Sequence, residues 1–190
     1  RNMDHLFDLP QGFHAARDCY AGRTSCEERG RCPLFGPECA GANCDYFNAG
    51  LFVCEPSRLE FQRMCECVAE SSLFQKFGSG YAEQDFLNWY FRGNVGFLPY
   101  VFNAMKIIRH HHPEIWRLED VHNIHYVDAK PWRRNDPSHA PYEDLNDLWW
   151  YIYDHQQLPP HILSEPQQPI DLAKPVVVPE YSAVLPSQFV

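Results

Sequence analysis

At 190 residues the chain is sized for one domain, or one domain with a tail, and an apolar fraction of 45% with 15% aromatic residues supplies a packed core and excludes a disordered composition. The formal charge of −9 argues against general nucleic-acid binding, because an acidic surface repels phosphate backbones; it leaves room for a local basic pocket for one diphosphate. No run approaches the ~18 apolar residues of a membrane-spanning helix.

The chain opens on Arg1 inside an amphipathic pattern and reads as a segment of a longer protein, so the lack of a leader carries no information. Met3 to Leu9 predicts a short helical turn ended by Pro10, and Phe13 to Ala16 a strand. Residues 19–45 mix Gly, Pro, Cys and charge without period and predict a loop. Phe47 to Cys54 is a short apolar run of the kind a buried strand makes. Pro56 opens a predicted helix reaching about Ser71, with Leu59, Met64, Cys65, Val68 and Ala69 on its apolar face. Gly78-Ser79-Gly80 breaks the chain, and a second helix is expected over 83–91, its first turn holding Glu83 and Asp85 where the helix dipole favours acids. Leu98 to Ile108 is mixed, with a strand edge and a helical turn; Val121 to Val127 reads as a strand. Tyr142 to Tyr153 reads as a Trp-rich helix with Leu145, Leu148, Trp149 and Ile152 on one face. The expected domain spans 1–157, and the prolines recurring through 158–190 predict an extended or disordered tail. Alternating strands and helices predict an α/β sandwich.

Five of the eight cysteines, Cys19, Cys26, Cys32, Cys39 and Cys44, fall in the predicted loop. Their irregular gaps lack the Cys-x-x-Cys pairing usual in zinc knuckles, and disulfides would need an oxidising compartment. Reduced, partly buried thiols are the simpler expectation, with a Cys-rich zinc module as the competing one. Cys54, Cys65 and Cys67 are expected in the core. The triplet His110-His111-His112 is expected to end a helix before Pro113 rather than to bind metal, since consecutive side chains point apart.

Three polar groupings carry possible chemistry. Glu83, Gln84 and Asp85 open an otherwise apolar helix; oxygen-bearing side chains there can steady a cationic sugar or hold its hydroxyls, or simply cap the helix. Asn48 is an amide inside an apolar strand, costly unless bonded, and Gly50 permits a close backbone approach. His125 precedes Asp128 and Lys130-Pro131-Trp132; an imidazole suits Mn²⁺ and a lysine can neutralise a diphosphate, while a core histidine beside a solvated lysine is the plainer alternative.

The strings Phe47-Asn48-Ala49-Gly50, Ala82-Glu83-Gln84-Asp85-Phe86-Leu87-Asn88 and His125 followed by Lys130-Pro131-Trp132, in that order, resemble family 8 retaining glycosyltransferases, the glycogenin and galactinol synthase group. The match covers roughly residues 1–155. The resemblance implies an incomplete GT-A-type nucleotide-diphospho-sugar transferase fold, a mixed sheet flanked by helices. It places Gln84 near the anomeric carbon with Glu83 and Asp85 beside it. It gives Asn48, Ala49, Gly50 and Lys130 to the substrate and makes His125 a ligand of Mn²⁺. Replacing Gln84 by alanine is then expected to abolish transfer and spare the fold. The implied reaction moves a hexosyl group from a UDP-hexose to a small polyol or carbohydrate acceptor, with UDP-galactose and inositol suggested by closer resemblance to the galactinol synthase branch. A cytoplasmic location follows from the same resemblance. Two departures stand out. Only four residues separate His125 from Lys130, fewer than in typical galactinol synthases. The family's Asp-x-Asp metal motif is expected to precede Arg1. The alternative is therefore a truncated, inactive member that binds carbohydrate or acts as a scaffold.

Overall fold

The computed structural model describes residues 1–19, 32–39, 44–69 and 82–163. Most of the predicted Cys-rich loop, the Gly78-Ser79-Gly80 break and the tail beyond 163 lie outside the described residues.

The centre is a three-stranded mixed sheet. Strand β1 (Phe13–Arg17) lies between β2 (Phe47–Cys54), to which it runs antiparallel, and β3 (Val95–Leu98), to which it runs parallel. β1 can be central because Ala15 and Ala16, on opposite faces, are both fully buried and small enough for each face to be covered. On one face Phe13, Ala15 and Phe47 pack with Leu87 and Phe91, the Phe13 and Phe91 rings stacking at 4.0 Å between centroids. Helix α2 (Ala82–Tyr90) supplies that cover. On the other face Leu6, from the 3-10 turn Asp4–Asp8, packs with Ala16, Leu98, Val101 and Phe102.

A second, two-stranded parallel sheet joins β4 (Ala104–Met105) to β5 (Ile124–His125). Helix α3 (Lys106–His111) follows β4 directly and ends at the histidine triplet, as expected. Helix α4 (Glu143–His155) carries the tryptophans. Leu145 on it is buried, while Leu148, Trp149 and Ile152 line an apolar cavity of about 560 Å³ shared with Ile124 and Tyr126. Pro160–Leu163 form a last short helix, α5, and Arg1 donates to the Ile162 carbonyl at 3.0 Å.

Several expectations are corrected. β2 is buried only at its start; it is an edge strand, and Phe52 and Cys54 near its end are exposed. Helix α1 (Arg58–Ala69) forms but buries no residue, so Leu59, Phe61 and Val68 face outward, Cys65 is exposed and Cys67 only half-buried. Its periodicity signalled the helix correctly, but among the described residues only Met64 of the stripe is half-buried and the rest is exposed. The strand expected over 121–127 pairs only at Ile124 and His125, because His122 and Asn123 both donate to the Val101 carbonyl before it and the Val127 N–H turns back to the His125 carbonyl at 2.9 Å after it. Cys39 and Cys44 are joined in a disulfide, and Cys19 and Cys32 are buried rather than lying in a surface loop.

Candidate functional site

The open edge of β2 is where the polar residues gather. β1 occupies one side of β2, so Phe47 and Ala49 turn backbone groups to the other side, and an unpaired edge needs partners. Helix α2 provides them with side-chain amides. Asn88 Oδ1 accepts from the Phe47 N–H at 2.8 Å while its Nδ2 donates to the Phe47 carbonyl at 2.8 Å, as a neighbouring strand would. One turn earlier, Gln84 Oε1 accepts from the Ala49 N–H at 2.9 Å. The spacing works because four helical residues rise about 6 Å and two strand residues about 7 Å.

The other end of Gln84 reaches across: Nε2 donates to Asp18 Oδ2 at 2.7 Å, and Asp18 Oδ1 accepts from the Cys19 N–H at 2.6 Å. Gln84 and Asp18 are 8% and 7% exposed. Burial pushes the Asp18 carboxyl above the usual carboxylate range, against the opposing hydrogen bonds from Gln84, the Cys19 N–H and Asn48. Asn48 Oδ1 accepts from the Gly50 N–H at 2.9 Å and from Asn103 Nδ2 at 3.0 Å. Asn103 is 1% exposed and its own Oδ1 meets no hydrogen-bond donor.

His125 arrives from the second sheet. Its ring lies on Gly50: a Cβ there would stand 2.2 Å from Cε1 and 2.7 Å from Nδ1. Gly50 is required by this approach. The Nδ1 atom is buried without a hydrogen-bond partner. Burial first, then the positive charge of Lys130, lower the His125 pKa, with Asp128 opposing. The ring is therefore neutral at pH 7, the form in which imidazole ligates metals. Lys130 Nζ donates to the Tyr126 carbonyl at 2.6 Å, and the fully buried Lys106 donates to the Ala129 carbonyl, so two lysines hold the 126–130 turn.

Gln84, Asn48, Ala49, Gly50 and His125 thus meet along three consecutive residues of β2. The acidic residues beside Gln84 separate. Asp85 Oδ1 accepts from the Tyr46 hydroxyl at 2.5 Å and leaves a buried, unpartnered Oδ2, whereas Glu83 is exposed. Two members of the cluster were not singled out from sequence. Asn103 carries the same signal as Asn48, an amide inside an apolar run. Asp18 sits in an undistinguished Arg-Asp-Cys string and has no such signal. The apolar cavity is elsewhere: Ile124 and Tyr126 line it, while His125 between them points to the other side of the strand.

Because the His125 pKa is lowered in the fold, its neutral form contributes stability that is present above the ordinary histidine value and lost as pH falls through the depressed one. Urea denaturation of wild type and His125→Gln is expected to show wild type losing more stability on acidification below pH 6.5. Parallel pH profiles for the two proteins would remove this assignment.

The Glycosyl transferase family 8 model matches residues 2–136. Similar proteins include galactinol synthase 2 of Arabidopsis thaliana, 35% identical over 181 residues, covering 83% of this chain and 51% of the relative. Galactinol synthase 2 of Solanum lycopersicum is 36% identical over 177 residues, with 83% and 50% covered. Galactinol synthase 1 of Ajuga reptans is 34% identical over 174 residues, with 83% and 51% covered. The chain spans about half the length of these relatives. No solved structure matches significantly. No helix among the described residues is long and apolar enough to cross a membrane. The mixed sheet flanked by helices is consistent with a GT-A-like glycosyltransferase domain. On the extent of the family match, this chain belongs to glycosyltransferase family 8.

Proposed function

We propose that the protein serves a retaining hexosyl transfer from a UDP-sugar to an acceptor hydroxyl, in a galactinol synthase-like reaction with UDP-galactose as donor and inositol as acceptor. The observation that carries this reading is the meeting of Gln84, Asn48, Gly50 and His125 on one short stretch of β2.

In this reading the Asn48 and Gly50 end of the strand takes sugar hydroxyls, and Ala49 is held in place for it by Gln84. The Gln84 amide keeps one N–H and one lone pair beyond its bonds to Asp18 and Ala49. These, with the Asp18 and Asp85 carboxyls, form the polar wall against which a cationic sugar develops. The reading gives Glu83, exposed on the first turn of α2, to the acceptor. The bond from the anomeric carbon to the diphosphate breaks, a bond to the acceptor oxygen forms on the same face, and the acceptor proton passes to a departing phosphate oxygen. Lys130 contacts the diphosphate once it exchanges the Tyr126 carbonyl for phosphate oxygen.

His125 fits as one Mn²⁺ ligand, since its buried Nδ1 is unpartnered and its ring neutral. Mn²⁺ bound there supplies positive charge for the departing UDP. The same reading proposes a cytoplasmic setting, in which the Cys39–Cys44 bond would be open to reduction.

The second reading, a member that binds carbohydrate without turnover, is favoured by the commitment of both ends of the Gln84 amide to protein groups. Incubation with UDP-galactose, inositol and Mn²⁺, followed by mass spectrometry, separates the two. A hexosyl-inositol product supports transfer. Saturable donor binding without product supports the second reading, and neither binding nor product contradicts both.

A further inference from the structure

We infer that Cys19, Cys32 and His112 form a structural zinc centre, separate from the His125 site. One ligand atom from each residue lies within 4.8 Å of the other two. All three residues are at most 2% exposed. They come from distant places in the chain: Cys19 follows β1, Cys32 precedes the 3-10 turn Pro33–Glu38, and His112 closes α3, its N–H bonded to the Ile108 carbonyl at 2.7 Å. Tetrahedral zinc with bonds of about 2.3 Å to sulfur and about 2.0 Å to nitrogen sets its ligands roughly 3.5–3.8 Å apart, so no pair needs to contract by more than about 1.3 Å.

Apolar packing accounts for two sulfurs beside Met105, Ile107, Ile108 and Tyr142, since buried cysteine behaves as a small hydrophobe. The imidazole joins them with its ring edge-on to Phe35, 4.9 Å between centroids, and this packing brings a third ligand atom to the two sulfurs. Two thiolates and an imidazole are a donor set for zinc, not for the oxygen-loving Mn²⁺ or Mg²⁺. Binding releases the two thiol protons to solvent and leaves two negative charges against one dication, a combination a buried site tolerates. Water or a further donor completes the tetrahedron. The Glu114 carboxylate lies 3.8 Å from His112 Nδ1 and would have to close to hydrogen-bond distance to orient a histidine ligand. The irregular cysteine spacing hid this centre, because one ligand is a histidine 80 residues beyond Cys32.

The centre also bears on the sugar site. The Cys19 N–H holds Asp18, which holds Gln84, so a metal fixing Cys19 fixes the wall behind β2.

The test is elemental analysis of protein purified under reducing conditions from zinc-supplemented medium. About one zinc per chain is expected, retained in Cys54→Ser, where the cysteine is exposed, and lost in Cys32→Ser and His112→Gln. If those two variants fail to fold, wild type decides alone: Co²⁺ exchanged for the bound metal is expected to give a thiolate-to-cobalt charge-transfer band and strong tetrahedral visible bands. Background zinc with no such bands, a Cys19–Cys32 disulfide in unreduced peptides, or zinc unchanged in the folded variants would overturn the assignment.

Discussion

Replacing Gln84 by alanine is expected to destabilise the fold by about 3 kcal/mol as well as to remove activity. The substitution leaves two groups unmet, the half-buried Ala49 N–H and the buried Asp18 Oδ2, at roughly 1–3 kcal/mol each with the first toward the lower end. Gln84→Met, of similar volume, is expected to lose nearly as much, because the penalty is in hydrogen bonds rather than in a cavity. Equilibrium denaturation of the three proteins decides it; a loss below about 1 kcal/mol for both variants would mean that solvent or backbone readily replaces the amide. Sequence alone led to the opposite expectation, a variant inactive yet intact. The difference arises because the family resemblance speaks of the reacting sugar, whereas the local structure makes Gln84 a cross-link from α2 through β2 to β1.

The second large effect is expected at Gly50. A methyl group there would lie 2.2 Å from His125 Cε1 and 2.8 Å from Asn48 Oδ1, so Gly50→Ala must push the imidazole off the strand. Overpacking of this kind costs about 1–3 kcal/mol, reduced here to the extent that the ring tip swings aside. The site suffers more than the fold. With His125 displaced, Mn²⁺-dependent donor binding is expected to weaken by at least about tenfold, corresponding to ~1.4 kcal/mol. Calorimetric titration with UDP-galactose in the presence and absence of Mn²⁺ measures this, and unchanged metal dependence in Gly50→Ala would separate His125 from the metal.

Much of the fold was legible because it rests on local periodicity. β2, α2 and α4 fall within a residue or two of the predicted bounds, and α3 ends at the histidine triplet as expected. What failed was the assignment of faces. The apolar stripe of α1 signalled a helix but not what covers it, since burial is set by neighbours distant in sequence. The same cause hid the cluster of Cys19, Cys32 and His112. Asn48 and Gly50 were legible as anomalies within an apolar strand, and their partners follow from that anomaly: an amide that must be bonded and a glycine against which a ring rests. The grouping of Glu83, Gln84 and Asp85 was read as one unit. On a helix, however, consecutive side chains point about 100° apart, so only Gln84 reaches β2 while Asp85 turns to Tyr46 and Glu83 to solvent.

In the proposed function, β2 residues Asn48–Gly50 and His125 line one site for metal and nucleotide sugar. Paramagnetic Mn²⁺ added with UDP-galactose to isotope-labelled protein tests it most directly, because broadening reports distance from the ion. The Gly50 amide and the His125 ring signals are expected to broaden first, followed by Asn48 and Ala49. Sharp His125 and Gly50 signals beside broadened resonances on α1 or α4 would contradict it.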